Sequence, residues 1–201
     1  MENESPLPRV VHSIWLRISH WVNALAMLIM VTSGWRIYNA SPLFNFDFPN
    51  EITLGGWLGG ALQWHFAGMW LFGLNGLFYL LINLVSGRLK RKFFPLSVSG
   101  IIRDLTDALR GKLSHESLNH YNMVQKLAYL FVMIDSLIIV VSGLVVWKSV
   151  QFPILRFLTG GFDAARYIHF FAMSTLVAFV VIHLVMVALV PKTLLAMLRG
   201  R

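Results

Sequence analysis

No cysteine occurs anywhere in the 201 residues. That absence excludes disulfides, iron–sulfur clusters and thiolate metal centres together. Charge is scarce as well. Only 13% of the residues are Asp, Glu, Lys or Arg, and the 9 acidic residues are outnumbered by 17 basic ones. A formal net charge of +8 would suit a nucleic-acid binder, but here the basic residues cluster beside long apolar runs, where membrane proteins place them. Nucleic acid is therefore not expected as a partner. A cleavable signal peptide is not expected either, because residues 1–13 are polar and the first apolar run is too long for a signal core.

The composition is otherwise 57% hydrophobic, with 15 Phe and 7 Trp. Four apolar segments, at about 14–37, 58–86, 123–147 and 165–190, each reach the roughly 20 residues that a membrane crossing needs. Between the second and third lies a basic block, Arg88, Lys90, Arg91 and Lys92. After it, residues 97–113 carry Ile101, Ile102, Leu105, Ala108 and Leu109 at helical spacing, opposed by Arg103, Asp104, Asp107 and Arg110. That stripe predicts a helix lying in the membrane interface. The N-terminal tail, the 87–120 loop and the C-terminus hold most of the Lys and Arg, which predicts that they face the cytoplasm, with loops 38–57 and 148–164 outside. The expected fold is all-α: an integral membrane four-helix up-down-up-down bundle in one domain, 1–201, plus a cytoplasmic interfacial amphipathic helix.

Four histidines lie inside these runs. His169 and His183 are fourteen positions apart on the fourth, close to four helical turns, so both point to one side and lie roughly 21 Å apart along the axis. His20 sits near the cytoplasmic end of the first span and His65 near the outer end of the second. Depth therefore matches His20 with His183 and His65 with His169. Ionisable groups at membrane depth are costly and mark functional sites. Two imidazoles facing each other across a bundle are what bis-histidine ligation of a haem iron requires. Without cysteine, such a haem is a non-covalent b-type.

Arg17 and Arg166 each precede a histidine by three residues and share its helix face. They either pair with haem propionates or snorkel to the interface. Gly34, fourteen residues after His20, and Gly68, one turn from His65, are expected to leave room for a macrocycle. Asp135, near the middle of the third span, is expected to be neutral or hydrogen-bonded. His12 and His115 have no partner at their depth. Asn23, His120, Tyr121 and Gln125 form a polar group near the depth of His20 and His183 and are the candidate quinone contacts, unless they simply satisfy helix ends.

The opening R-x-x-H-W of the first span (Arg17 to Trp21), the early histidine of the second, and the H-x13-H of the fourth resemble the bacterial di-haem cytochrome b561 group. That group is related to the b-type cytochrome subunits of nickel–iron hydrogenases and of formate and thiosulfate-type reductases. The likeness runs over residues 9–201. The stretch HYNMVQKLAYLFVMIDSLIIVVSGLVVWKSVQFP, followed by GGFDAARYIHF, looks most like members paired with periplasmic molybdopterin oxidoreductases. The resemblance implies axial ligation of two haem b groups by His20/His183 (inner) and His65/His169 (outer). It also implies a place in the bacterial inner membrane and electron transfer between a periplasmic redox partner and ubiquinone or menaquinone. Phe44, Phe46, Phe48, Phe152, Ile154 and Leu155, in the two outer loops, either dock that partner or sit in the interfacial aromatic belt.

Two other functions stay in play. A self-contained superoxide:ubiquinone oxidoreductase of the same fold needs a cationic funnel at the outer haem, for which the outer side offers Arg36, Lys148, Arg156 and Arg166 beside Asp47, Glu51 and Asp163. A non-redox metal carrier would need clustered carboxylates, which the histidines lack. An electron-transfer subunit is the expectation; a stand-alone enzyme is the rival.

Overall fold

The computed structural model describes residues 13–87, 95–109 and 123–200. Its helices in chain order are α1 (Ile14–Ala40), α2 (Leu58–Val85), α3 (Val98–Leu109), α4 (Met123–Lys148), α5 (Pro153–Leu158), α6 (Phe162–Leu189) and α7 (Pro191–Arg199), with a 3-10 turn at Asn50–Ile52. Helices α1, α2, α4 and α6 are 26 to 28 residues long, about 40 Å at 1.5 Å per residue. All four are long and apolar enough to cross a membrane. The seven prolines all lie outside them, so no span loses a backbone hydrogen bond to a proline ring.

The four spans begin and end within three residues of the expected limits. A helix, α3, stands where the interfacial one is expected. Ser97 caps it, its hydroxyl accepting from the Gly100 amide at 3.3 Å, and residues 110–113 of the expected range lie outside the described residues. Helices α5 and α7 were not expected. Each starts on a proline (Pro153, Pro191), a residue suited to the first helical position, and α7 stops at Gly200 with φ +82°.

Close backbone approach is concentrated in two antiparallel pairs, α1 with α2 and α4 with α6. Most of the buried residues in these helices are small, among them Ala26, Ser33 and Ala61 in the first pair and Ser142, Ala165 and Ala172 in the second, beside the larger Ile139, Val145 and Leu176. Lipid gives apolar side chains no reason to leave it, so membrane helices associate through small residues that let backbones come near. Gly68 is one of these. A Cβ there would stand 2.7 Å from Met30 Cγ and 3.1 Å from Ile29 Cγ2. Large apolar side chains face outward instead, among them Trp57, Trp70, Leu74, Leu84 and Leu189.

Side chains tie the ends together. At the end holding the chain termini, Arg17 donates through Nε to Met197 O at 2.9 Å and through Nη2 to Leu198 O, completing the last turn of α7. At the opposite, loop end, Arg166 donates to Ser41 O at 2.6 Å and Ser41 Oγ at 3.0 Å. Asn39 holds Phe48 by both backbone groups, at 2.8 and 2.9 Å. Asp104 of α3 accepts from the Met123 amide that opens α4, at 2.7 Å.

Candidate functional site

The four span histidines meet in two pairs, each bridging the gap between the helix pairs. At the termini end, His20 of α1 and His183 of α6 have ring centroids 6.1 Å apart. At the loop end, His65 of α2 and His169 of α6 are 6.4 Å apart. A metal bonded to one nitrogen of each ring at about 2 Å would put the ring centres roughly 6 Å apart, so both pairs have the separation that a bis-imidazole metal centre needs. The described residues contain no cluster of three or more His, Asp or Glu side chains able to hold an ion. A square-planar macrocycle that supplies its own four nitrogens and asks the protein for two axial ligands fits this donor set.

The loop-end pair is the more tightly specified. His65 Nδ1 is 3.1 Å from the Met30 carbonyl and 3.1 Å from Ser33 Oγ. His169 Nδ1 is 3.1 Å from the Ile139 carbonyl and 3.1 Å from Ser142 Oγ. A carbonyl only accepts, so Nδ1 carries the hydrogen in both rings. Each serine points its own hydroxyl hydrogen at its helix, Ser33 at Ile29 O and Ser142 at Ile138 O, both at 2.6 Å. Its oxygen is then left to accept from Nδ1–H. A neutral imidazole has one N–H, so Nε2 keeps its lone pair for a metal.

Glycine completes the setting. Gly34 faces His65, where a Cβ would lie 3.4 Å from Cε1, and Gly143 faces His169, where it would lie 3.1 Å from Cε1. Gly34 thus stands at the expected depth and beside the loop-end pair. The space left by Gly68 is filled by α1.

The termini-end pair is held differently. The His183 ring stacks on Phe179 at 6.1 Å, and Trp21 meets His20 edge-on at 5.3 Å. His183 is exposed, whereas the other three histidines are half-buried. Arg17, expected near a propionate, spends Nε and Nη2 on α7. Arg166 reaches across to the end of α1. Asn23, one turn along from His20, accepts from Asn75 Nδ2 at 2.8 Å, and the same amide nitrogen is 2.8 Å from Ser19 O. Asn23 therefore clamps α1 to α2. Gln125 is exposed in the first turn of α4. His12, His115, His120, Tyr121 and the basic block lie outside the described residues.

Asp135 is buried between α4 and α6, 5% exposed, with Oδ1 2.9 Å from Thr175 Oγ1. Thr175 Oγ1 is also 2.9 Å from its own helix carbonyl, Ala172 O. The single hydroxyl hydrogen of Thr175 is shared between these two acceptors, and the other carboxyl oxygen, Oδ2, is buried with no hydrogen-bond partner among the described residues. In the 38–57 loop, Phe44, Phe46 and Phe48 form an aromatic cluster with Tyr38 and Phe170. On α5, Ile154, Phe157 and Leu158 stand 73%, 83% and 71% exposed.

Sequence reasoning missed Ser33, Ser142 and Gly143. A signal was present: Ile-x-Val-x-Ser-Gly occurs at 29–34 and again at 138–143. The Ser-Gly ending of this segment, once in each helix pair, was the trace of a duplicated histidine support.

A sequence model of the family described as prokaryotic cytochrome b561 matches residues 11–200. Over 190 residues the chain is 64% identical to the "Putative protein-methionine-sulfoxide reductase subunit YedZ1" of Azospira oryzae, covering 94% of this chain and 96% of that protein.

Proposed function

The chain belongs to the prokaryotic cytochrome b561 family, a multi-pass membrane b-type cytochrome, and from that premise we propose that it carries electrons through two haem b groups between the quinone pool and a redox partner. The observation that carries the proposal is the pair of histidine pairs, 6.1 and 6.4 Å between ring centres, one near each end of the same bundle. His20 and His183 would hold one haem iron, and His65 and His169 the other. When bound, the haems supply one-electron carriers at two depths; the polypeptide supplies axial nitrogens, fixed tautomers and an apolar surround that keeps water from the path.

The termini end faces the cytoplasm and the loop end the periplasm, as the distribution of Lys and Arg supports. The partner docks on the loop end, over Phe44, Phe46 and α5. By analogy with the Azospira relative, that partner reduces oxidised methionine, and the likeness of residues 120–170 to members paired with molybdopterin enzymes makes it an oxidoreductase of that type. Electrons then flow outward: a quinol releases two electrons and two protons at the termini end and becomes quinone. The partner combines two electrons and two protons with a sulfoxide to give a thioether and water. The candidate quinone contacts are Asn23 and Gln125, with His120 and Tyr121 outside the described residues.

The test is a dithionite-minus-air difference spectrum of purified protein, followed by addition of a quinol analogue. Two b-type components, both reduced by quinol, are expected. A featureless spectrum would reduce the histidines to helix-packing groups. Superoxide-dependent quinone reduction by the isolated chain would make it an enzyme in its own right.

A further inference from the structure

The two helix pairs repeat one construction at the loop end. In α1 the Ile29 carbonyl takes the serine hydrogen, the Met30 carbonyl takes the imidazole hydrogen, Ser33 Oγ shares that hydrogen, and Gly34 leaves space for the ring edge. In α4 the same tasks fall to Ile138, Ile139, Ser142 and Gly143, at the same offsets along the helix and with the same hydrogen-bond lengths. The served histidines sit at matching places in the second helix of each pair. Both serines are fully buried, at 0% exposure. A buried serine that needed only to satisfy its own hydroxyl would have no reason to face a ring nitrogen twice.

We propose that Ser33 and Ser142 are matched positioning residues that set the donor strength of His65 and His169, and through them the reduction potential of the loop-end haem. This rests on the two-haem reading above. An Nδ1–H shared between a carbonyl and a hydroxyl oxygen gives more electron density to the ring than one held by the carbonyl alone, and a richer ligand favours ferric iron. Two such rings on one iron act in the same direction. The device lowers the potential of the loop-end haem and leaves the termini-end haem alone. Specificity follows from the I-x-V-x-S-G segment: its serine is the only member that touches a histidine through a side-chain oxygen.

The experiment is a spectroelectrochemical titration of the purified holoprotein, comparing Ser33→Ala, Ser142→Ala, the double variant and Ser174→Ala. Ser174 is the control, since it makes the same bond to its own helix, to Phe170 O at 2.8 Å. Each single variant is expected to bind both haems and raise the midpoint potential of the loop-end component alone. The double variant should raise it further, and Ser174→Ala should leave it in place. Assignment of the component comes from its loss in His65→Ala. Because Ser→Ala is a small change in a buried site, haem content and low-spin absorption are checked first. A variant that loses the haem is replaced by Ser→Cys, a weaker acceptor expected to give a smaller rise. Both haems present with unmoved potentials would overturn this inference and spare the two-haem reading. Absence of the loop-end component from the unaltered protein would overturn both.

Discussion

The loop-end and termini-end histidine pairs have nearly the same ring separation and quite different surroundings. At the loop end both Nδ1 atoms are bound, both ring edges face glycine, and Phe170, the residue after His169, joins an aromatic cluster of Tyr38, Phe44, Phe46 and Phe48. At the termini end His183 is exposed and stacks on Phe179, and His20 meets Trp21 edge-on. The duplicated segment explains why. The offset that carries Ser33 to Ser142 carries His20 to Tyr129, and the offset that carries His65 to His169 carries Tyr79 to His183. The loop-end pair therefore lies on positions related by the repeat, one histidine from each half. The termini-end pair does not. Each of its histidines has a tyrosine as counterpart, so one site is built symmetrically and enclosed, and the other is lopsided and open. An enclosed site suits electron relay to a docked protein; an open one suits exchange with a mobile lipid-soluble carrier.

The largest expected effect comes from removing a ligand. His65→Ala or His169→Ala should abolish the loop-end haem and keep most of the other, and His20→Ala or His183→Ala should do the reverse, read as loss of about half the reduced b-band. If His20→Ala and His169→Ala removed the same spectral component, the pairing would be wrong. Next is the glycine contrast. Gly143→Val places branched carbon against a ring whose nearest atom is already 3.1 Å from a Cβ position, and should remove most of the loop-end haem. Gly34→Ala, at 3.4 Å, should be nearly silent. Equal damage by both would break the proposed fit.

Quinone exchange tests the open end. His120→Ala and Gln125→Ala, with both haem spectra intact, should slow reduction by quinol several-fold while leaving oxidation by an external acceptor unchanged. Unaltered quinol kinetics in both would move the site to the loop end. The smallest effects belong to the region between the two sites. Thr175→Val strips Asp135 of its hydrogen-bond partner and should cost about 1–3 kcal/mol of stability, seen as a lower melting temperature. Asp135→Asn keeps a partner for Thr175 and should cost less. If its turnover and pH dependence also match the unaltered protein, Asp135 has no part in proton delivery.

Much of this was legible before any coordinates. Span limits followed from apolar length, and the histidine pairing from depth alone, because a membrane gives each residue of a helix a fixed height. The spacing of His169 and His183 was enough to put one histidine of each pair on the same helix. The short helices were not legible: α5 and α7 are too brief for periodicity to separate from loop, and only Pro153, Pro191 and Gly200 mark them. Gly68 was read by proximity to His65, but a helical residue three places away faces a slightly different direction, and there it meets α1. Arg17 shares a face with His20 as expected; what the sequence did not reveal is that α7 folds back to offer it two carbonyls. Ser33 and Ser142 were hidden because serine is common at helix contacts, and only the repeat distinguishes them.

The most direct measurement is the haem-to-chain ratio of the purified protein beside that of the His65→Ala/His169→Ala double variant, by extracted-haem absorbance against amino-acid analysis. The account predicts a ratio of about two falling to about one, with the remaining haem still low-spin. A ratio of one in the unaltered protein, or none in the double variant, would contradict two independent bis-histidine sites.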